Sequence, residues 1–526
     1  MIHVLHPDRV LCGLAANPAL PADLVDRLIA LAATTDDPSL ADDLAAELTD
    51  RDDLDDAQAR ALASGVDDAA LHLAHDGRLT AEDIDPATRP EAALALLERG
   101  EGRPGWARRF AADPDPSRRG WLAGCPDLPE DVLRRLAGDP DPEVVADLAV
   151  TAPPALATAL ARHPHTTVRR AVAANDRTPP DVLAALLTGD VLLTGDALPP
   201  AAVCPVCERH TRPFEHAPDC DLPDCALLPG AACSGGHESA QHEIAAAVLA
   251  HPATPASAAA GFADRPSMPL RAELAARTDL PADVYRRLAT AADPWVREAL
   301  AENPAIDEEV IRALAEDDDA DVGRRLAHHP RLPLDVLTRL AARARTGPTL
   351  LPRIAAASAA EVVQLAASPE PALRMLVAER RDLPPAVRDT LAVDPDAKVL
   401  KAIAPHPGLS ESLLRAMVAR HGVRVAARVA TNPDASPALL ADLARHRPPV
   451  QKALRAIAAH PRATAPALTV CLADRQARPV AAAHPALPAD VLVELLGDPL
   501  PGIVEVAAAN PALPPAVART LLDRHA

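Results

Sequence analysis

Aromatic side chains make up only 1% of the 526 residues: three Trp, one Tyr and three Phe. A thick globular interior leans on aromatic bulk, so the core of this chain has to be built of Leu, Val and Ala. Such residues suit thin, closely packed helices. No run of 18 or more apolar residues occurs, which argues against a membrane-spanning helix. The opening Met1-Ile-His-Val-Leu-His-Pro-Asp has no charged region followed by an apolar one, so no secretory signal is read and a cytoplasmic location is expected. In that setting the eight cysteines are poor candidates for disulfides. Strand-like alternation is missing too. With no strand–turn–helix setting there is no nucleophile elbow, phosphate-binding loop or dinucleotide fingerprint. The expectation is a protein that is not an enzyme.

Basic charge is also in deficit. Asp and Glu number 74 against 53 Lys and Arg, a formal net charge of −21. Phosphate binding is driven by Lys and Arg, so a nucleic-acid surface is not expected. Any local basic patch would have to work against the overall field.

What the chain does have is proline, 57 in all, and a period. The clearest unit begins Asp293-Pro-Trp-Val-Arg-Glu-Ala-Leu-Ala-Glu-Asn-Pro. Asp caps a helix and Pro fits its first position, where the missing N–H has no partner to lose. The residue before the next Pro is pushed out of the α region, so this half must stop at Asn303. A second half follows, as in Leu332-Pro-Leu-Asp-Val-Leu, with an acidic residue in the first turn where the helix dipole favours it. The Leu-Pro landmark falls at Leu280, Ile306 and Leu332, then at Leu383, Leu409 and Ala435, a step of 26 residues within each set. A period of that length predicts a stacked array in which neither helix of a unit buries its apolar stripe alone. Residues 34–100 keep helical patterning, lose the register and are strongly acidic from Asp36 to Asp56; they read as degenerate repeats.

Before the mid-unit proline stand Asn17, Asn303, Asn432 and Asn510, but also His163, His251, His329, His406, His460 and His484. A ladder of metal-binding or pH-sensing histidines is one reading. The stronger one is structural: a short polar side chain satisfies backbone groups at every inter-helix turn.

The unit Asp-Pro-x-x-Val-Arg-x-x-Leu-Ala-x-Asn-Pro-x-Leu-Pro-x-Asp-Val-Leu resembles the leucine-rich repeat variant (LRV) family over most of residues 1–30, 110–190 and 244–526. The resemblance implies a right-handed superhelix of α-helices alternating with short 3₁₀ helices. Some members of that family carry a cysteine-ligated iron–sulfur module at the N-terminus; here the cysteines lie mid-chain.

Between the landmarks Thr178 and Thr254 the pattern fails over a distance worth about three units. In its place stand Cys204-Pro-Val-Cys207, Cys220 and Cys225, then Cys233, with His210, His216, His237 and His242 among them. Two thiolates from a C-x2-C knuckle and two from a second pair complete a tetrahedral site. The expected ligands are Cys204, Cys207, Cys220 and Cys225. Structural zinc is favoured, with a [4Fe–4S] cluster as the alternative; His210, His216, Cys233 or His237 could replace a ligand. Cys12, Cys125 and Cys471 read as packing residues, as do Trp106, Trp121 and Trp295.

The sequence therefore predicts an all-α solenoid of two-helix repeats: residues 1–200, a Cys-rich metal-binding insert at 201–243, and repeats again over 244–526. A scaffold for a protein partner is the first functional reading, and an iron–sulfur regulator is the second. Nucleic-acid binding along a face bearing Arg169-Arg170, Arg286-Arg287 and Arg324-Arg325 is a weaker third. The terminal repeats lack an obvious polar cap, which leaves an end open to self-association.

Overall fold

The computed structural model describes residues 5–163, 165–188, 240–264, 268–343 and 346–525. Among these residues there are 35 α-helices and no strand. The chain forms two compact units, one of residues 1–96, 348–350 and 357–526, the other of residues 97–347 and 351–356.

The repeat is built as its residues dictate. Asp293 caps helix Pro294–Ala301 by accepting the Trp295 N–H at 2.9 Å, and Asp115 and Asp141 do the same for Pro116–Gly124 and Pro142–Thr151. The second helices begin one residue after their proline, as at Ala282–Ala289 and Glu130–Leu136. Val296, Leu300, Val310, Ile311 and Leu314 are buried. Each such side chain contributes about 1.5–3 kcal/mol of burial, and only a stack of neighbours supplies it. The shorter half is α-helical; the 3₁₀ form implied by the family resemblance does not occur among the described residues.

The Asn and His positions form a hydrogen-bonded spine. Asn303 donates from Nδ2 to the carbonyls of Ala275 and Arg277, in the unit before, and its Oδ1 accepts the Ala305 N–H at 2.8 Å. His329 donates from Nε2 to Asn303 O at 2.9 Å and accepts the Arg331 N–H at Nδ1. His251, His460 and His484 repeat this pattern. A metal ladder is thereby ruled out for these rings, because both nitrogens are already engaged. His406 shares only the first bond, from Nε2 to Ala378 O, and His163 only the second, its Nδ1 accepting the His165 N–H while its carbonyl accepts from Arg169. Arginine also serves in the spine. Arg277 reaches Leu249 O and His251 O, and Arg51 reaches Ala15 O and Asn17 O, each steadied by an Asp two residues on.

Two findings lie beyond what the repeat pattern shows. Thr178 and Thr254, 76 residues apart in the chain, stand one step of the array apart. Helix Ala240–Ala250 packs on Thr166–Ala174 and Pro180–Thr188, His251 bonds to Asn175 O at 3.1 Å, and the two threonines make the same contact, each to the carbonyl six residues earlier. The chain leaves after Thr188 and re-enters at Ala240 in the next layer.

The second concerns the ends. Within the first unit, helix Pro7–Ala16 stacks on Pro501–Ala509 as though it were the next repeat. Asn17 Nδ2 donates to Ala508 O and Asn510 O, the equivalents of the carbonyls that Asn303, Asn432 and Asn510 use. Arg9–Glu505, Arg27–Asp523 and Arg519–Asp23 ion pairs flank the joint. Gly13 permits the approach, since a Cβ there would stand 2.2 Å from Glu505 O. The last repeat is covered by the first, so its apolar face is not available for self-association.

Candidate binding groove

The site emerges from where the arginines go. In the motif Val-Arg-x-x-Leu-Ala the arginine lies six residues before the spine position, and it is structural. Arg297 binds Asp317 through both Nε (2.6 Å) and Nη2 (3.1 Å), while Nη1 donates to Ala291 O. Arg119–Asp139, Arg374–Asp394 and Arg478–Asp498 repeat the arrangement, always with the acid 20 residues later. These pairs are largely buried. Burial pushes the Asp317 carboxyl up, but Arg297 and the Asp319 N–H outweigh it and hold it below its ordinary value. The hydrogen bond to Asp317 holds Arg297 above its own. Asp317 is thus a partner in a largely buried ion pair.

The outer-face arginines that could have made a nucleic-acid surface are neutralised as well. Arg170 pairs with Glu243, Arg286 with Glu309, Arg287 with Asp264, Arg324 with Asp321, and Arg325 with Glu298 and Glu302. Arg169 is buried. The nearby carboxylates of Glu298, Asp319 and Asp321 lie within 4.8 Å of one another but are already engaged by Arg325, a backbone N–H and Arg324.

In several units the position six before the spine is apolar, as at Leu11, Ala245 and Val504, and one such stretch of three units, Leu400, Ala426 and Leu454, leads to the groove. The cations have moved outward. Lys401 on Ala397–Ile403, Arg424 and Arg428 on Val423–Val429, Lys452 on Gln451–Ala458, and Arg447 in the preceding loop line one open groove of about 960 Å³. Two of the chain's three lysines are here. Among the described residues none of these five cations makes an ion pair. Arg428 donates to Lys401 O at 3.1 Å and Arg447 to neighbouring carbonyls. Asp474 stands on the rim in the place of a motif acid, 20 residues after Leu454. Lacking an arginine, it accepts the N–H groups of Gln476 and Ala477. The buried Glu379 is the acid that feels Arg428; burial raises its pKa and Arg428 with Arg381 opposes that rise. Sequence reading missed the groove, although the outward shift of Arg and Lys over three units was there to see.

The expected metal ligands Cys204, Cys207, Cys220 and Cys225 lie outside the described residues, as do His210, His216, Cys233 and His237. Cys12, Cys125 and Cys471 are buried, and burial pushes their thiols up to about 12, 12 and 11. Such thiols stay protonated and unreactive, in keeping with packing roles. Trp106 is buried and Trp121 half-buried, its Nε1 donating to Glu98. Trp295, however, is 53% exposed, beside the fully buried Val296, and is not the packing residue expected.

No protein-family model and no curated protein matches the chain. Among solved structures it is similar to one described as the crystal structure of Kap121p bound to Nup53p, at 12% identity over 98% of this chain and 53% of that one, with a TM-score of 0.22. A homology model of the full-length AP-3 complex is similar at 13% identity over 99% and 93% of the two chains, with a TM-score of 0.17. The Pds5–Scc1 complex matches at 10% identity over 88% and 59%, with a TM-score of 0.13. The chain spans about half the length of the first of these. No helix of the described residues is long and apolar enough to cross a membrane.

Proposed function

We propose that this chain is a non-enzymatic helical-repeat scaffold, cytoplasmic and related to the LRV repeats, that holds a protein partner and docks it at the cationic groove. One observation carries the reading: five cations without ion-pair partners converge on one groove in a chain of net charge −21, whereas the motif arginines Arg119, Arg297 and Arg374 are paired with buried acids. A cluster of cations on one groove of an acidic chain is a surface for a partner of opposite charge. Base stacking, which single-stranded nucleic acids need, has no platform here, since no aromatic side chain lines the groove. The test is fluorescence anisotropy with labelled poly-glutamate at low ionic strength. Salt-sensitive binding is expected, weakened at least tenfold by the combined Lys401→Glu, Arg424→Glu and Lys452→Glu changes. Absence of binding by the unaltered protein contradicts the reading.

The same proposal includes a four-thiolate metal site formed by Cys204, Cys207, Cys220 and Cys225, with structural zinc as its metal. The C-x2-C and C-x4-C spacing supports it. One zinc per chain, lost in Cys204→Ser/Cys207→Ser, is the expected result. Iron with sulfide and visible absorbance would favour the redox-responsive regulator instead.

A further inference from the structure

The groove has a spacing as well as a charge. Its cations come from three successive first-half helices: Lys401 from one, Arg424 and Arg428 from the next, Lys452 from the third. Packed helices stand about 8–10 Å apart, so the cations recur at about that interval along the array. A partner that meets all three must present its acids with the same step. A polyproline II segment rises about 3.1 Å per residue with three residues per turn, which places every third side chain on one face about 9 Å apart. A β-strand repeats its face every two residues, about 6.6 Å, and falls out of step after one contact. An α-helix needs two turns, about 10.8 Å, for one interval.

The floor between the cations is apolar. Val423 is 50% exposed, Val450 and Val470 are half-buried, Pro449 and Ala473 add to them, and Gln451 and Asp474 are the polar and acidic members of the lining. Side chains between the acids would lie on this floor, and proline or valine suits both it and the extended backbone.

Resting on the docking role proposed above, we infer that the occupant is an extended acidic segment in polyproline II conformation, with a carboxylate at every third residue and apolar residues between. The segment lies across helices Ala397–Ile403, Val423–Val429 and Gln451–Ala458, one carboxylate to each. Its backbone needs no ordering beyond the conformation it already favours, which lowers the entropic cost of binding.

Three labelled peptides of equal length and charge separate the alternatives: Glu at i, i+3 and i+6 among Pro and Val; Glu at i, i+2 and i+4; and Glu at i, i+7 and i+14 in an Ala-rich helix. An oligo-dT of matched charge is the fourth probe. Anisotropy titrations use the full chain, its Arg424→Ala/Lys452→Ala variant, and Arg108→Ala as a control for lost charge at a residue that does not line the groove. The expected result is that the three-residue spacing binds at least tenfold tighter than either other peptide. The groove variant should remove that preference and the control should retain it, with all three proteins melting alike by circular dichroism. Equal affinity for all three acidic peptides would overturn the spacing while leaving the docking role in place. Binding of none of them would overturn both. Tighter binding of the oligonucleotide than of every peptide would overturn the acidic occupant and make the groove a nucleic-acid surface.

Discussion

Helices Pro294–Ala301 and Val423–Val429 are the same part of the same repeat, yet they use arginine in opposite ways. In the first, Arg297 folds back onto Asp317 and a carbonyl of its own unit. In the second, Ala426 takes that place, and Arg424 and Arg428 stand at the groove. The first arrangement joins the start of one unit to the turn of the next. The second gives up that link and relies on apolar packing, as at buried Val425 and Val429, to hold the stack. Arginine is therefore internal mortar at Arg297 and outward surface at Arg424 and Arg428, two positions to either side of Ala426.

The largest effect should come from breaking the mortar. Arg374→Ala leaves the Asp394 carboxylate, almost wholly buried, without its guanidinium. Removing one partner of such a pair should cost about 2–3 kcal/mol, read as lost amide protection across residues 371–403 in hydrogen exchange. An exposed pair gives the contrast: Arg108→Ala, opposite Asp131, should leave the melting temperature unchanged.

Next comes the joint between the ends. Gly13→Ala puts a Cβ against Glu505 O and Ala508, and repacking should cost about 1–3 kcal/mol. Protection should fall in Pro7–Ala16 and Pro501–Ala509 together. At Gly105, where nothing lies within 4 Å, the same change should be neutral or slightly stabilising. Loss of protection at only one of the two helices would mean that the joint is not an ordinary repeat contact.

A smaller effect should appear with pH. Burial holds the His329 and His406 imidazoles below their ordinary value. Protonating His329 at Nδ1 would also forfeit the Arg331 N–H bond. Because the folded pKa lies below the unfolded one, the unfolded chain binds more protons as pH falls. Their contribution is full above about pH 6.5 and declines as pH drops toward the folded value. Melting temperature should fall between pH 7 and pH 5. His329→Asn with His406→Asn should flatten that slope, since Asn fills the same place at Asn303 and Asn432.

Much of this was legible in the sequence. The 26-residue step, the Asp caps and the helix stop before proline follow from local chemistry, and so does the capping role of Asn and His. What was hidden depends on topology. Nothing local reveals that Asn17 bonds to Ala508, 491 residues away, or that Thr178 and Thr254 occupy adjacent layers. Arg51 and Arg277 escaped notice because a spine was sought only among short polar residues, although the Arg-x-Asp pattern marks both. The groove was missed because arginines were sought as adjacent pairs. Arg286-Arg287 and Arg324-Arg325 satisfy that pattern and are paired, whereas the unpaired cations recur one unit apart.

The most direct test of the division between mortar and surface measures both properties on two variants. Arg374→Ala and Arg424→Ala each remove one guanidinium from the same array, and each is assayed for hydrogen exchange and for poly-glutamate affinity. The division predicts that Arg374→Ala loses protection and keeps its affinity. It predicts that Arg424→Ala keeps its protection and binds several-fold more weakly. If stability and affinity move together in both variants, the groove cations are part of the fold's own support and the division is wrong.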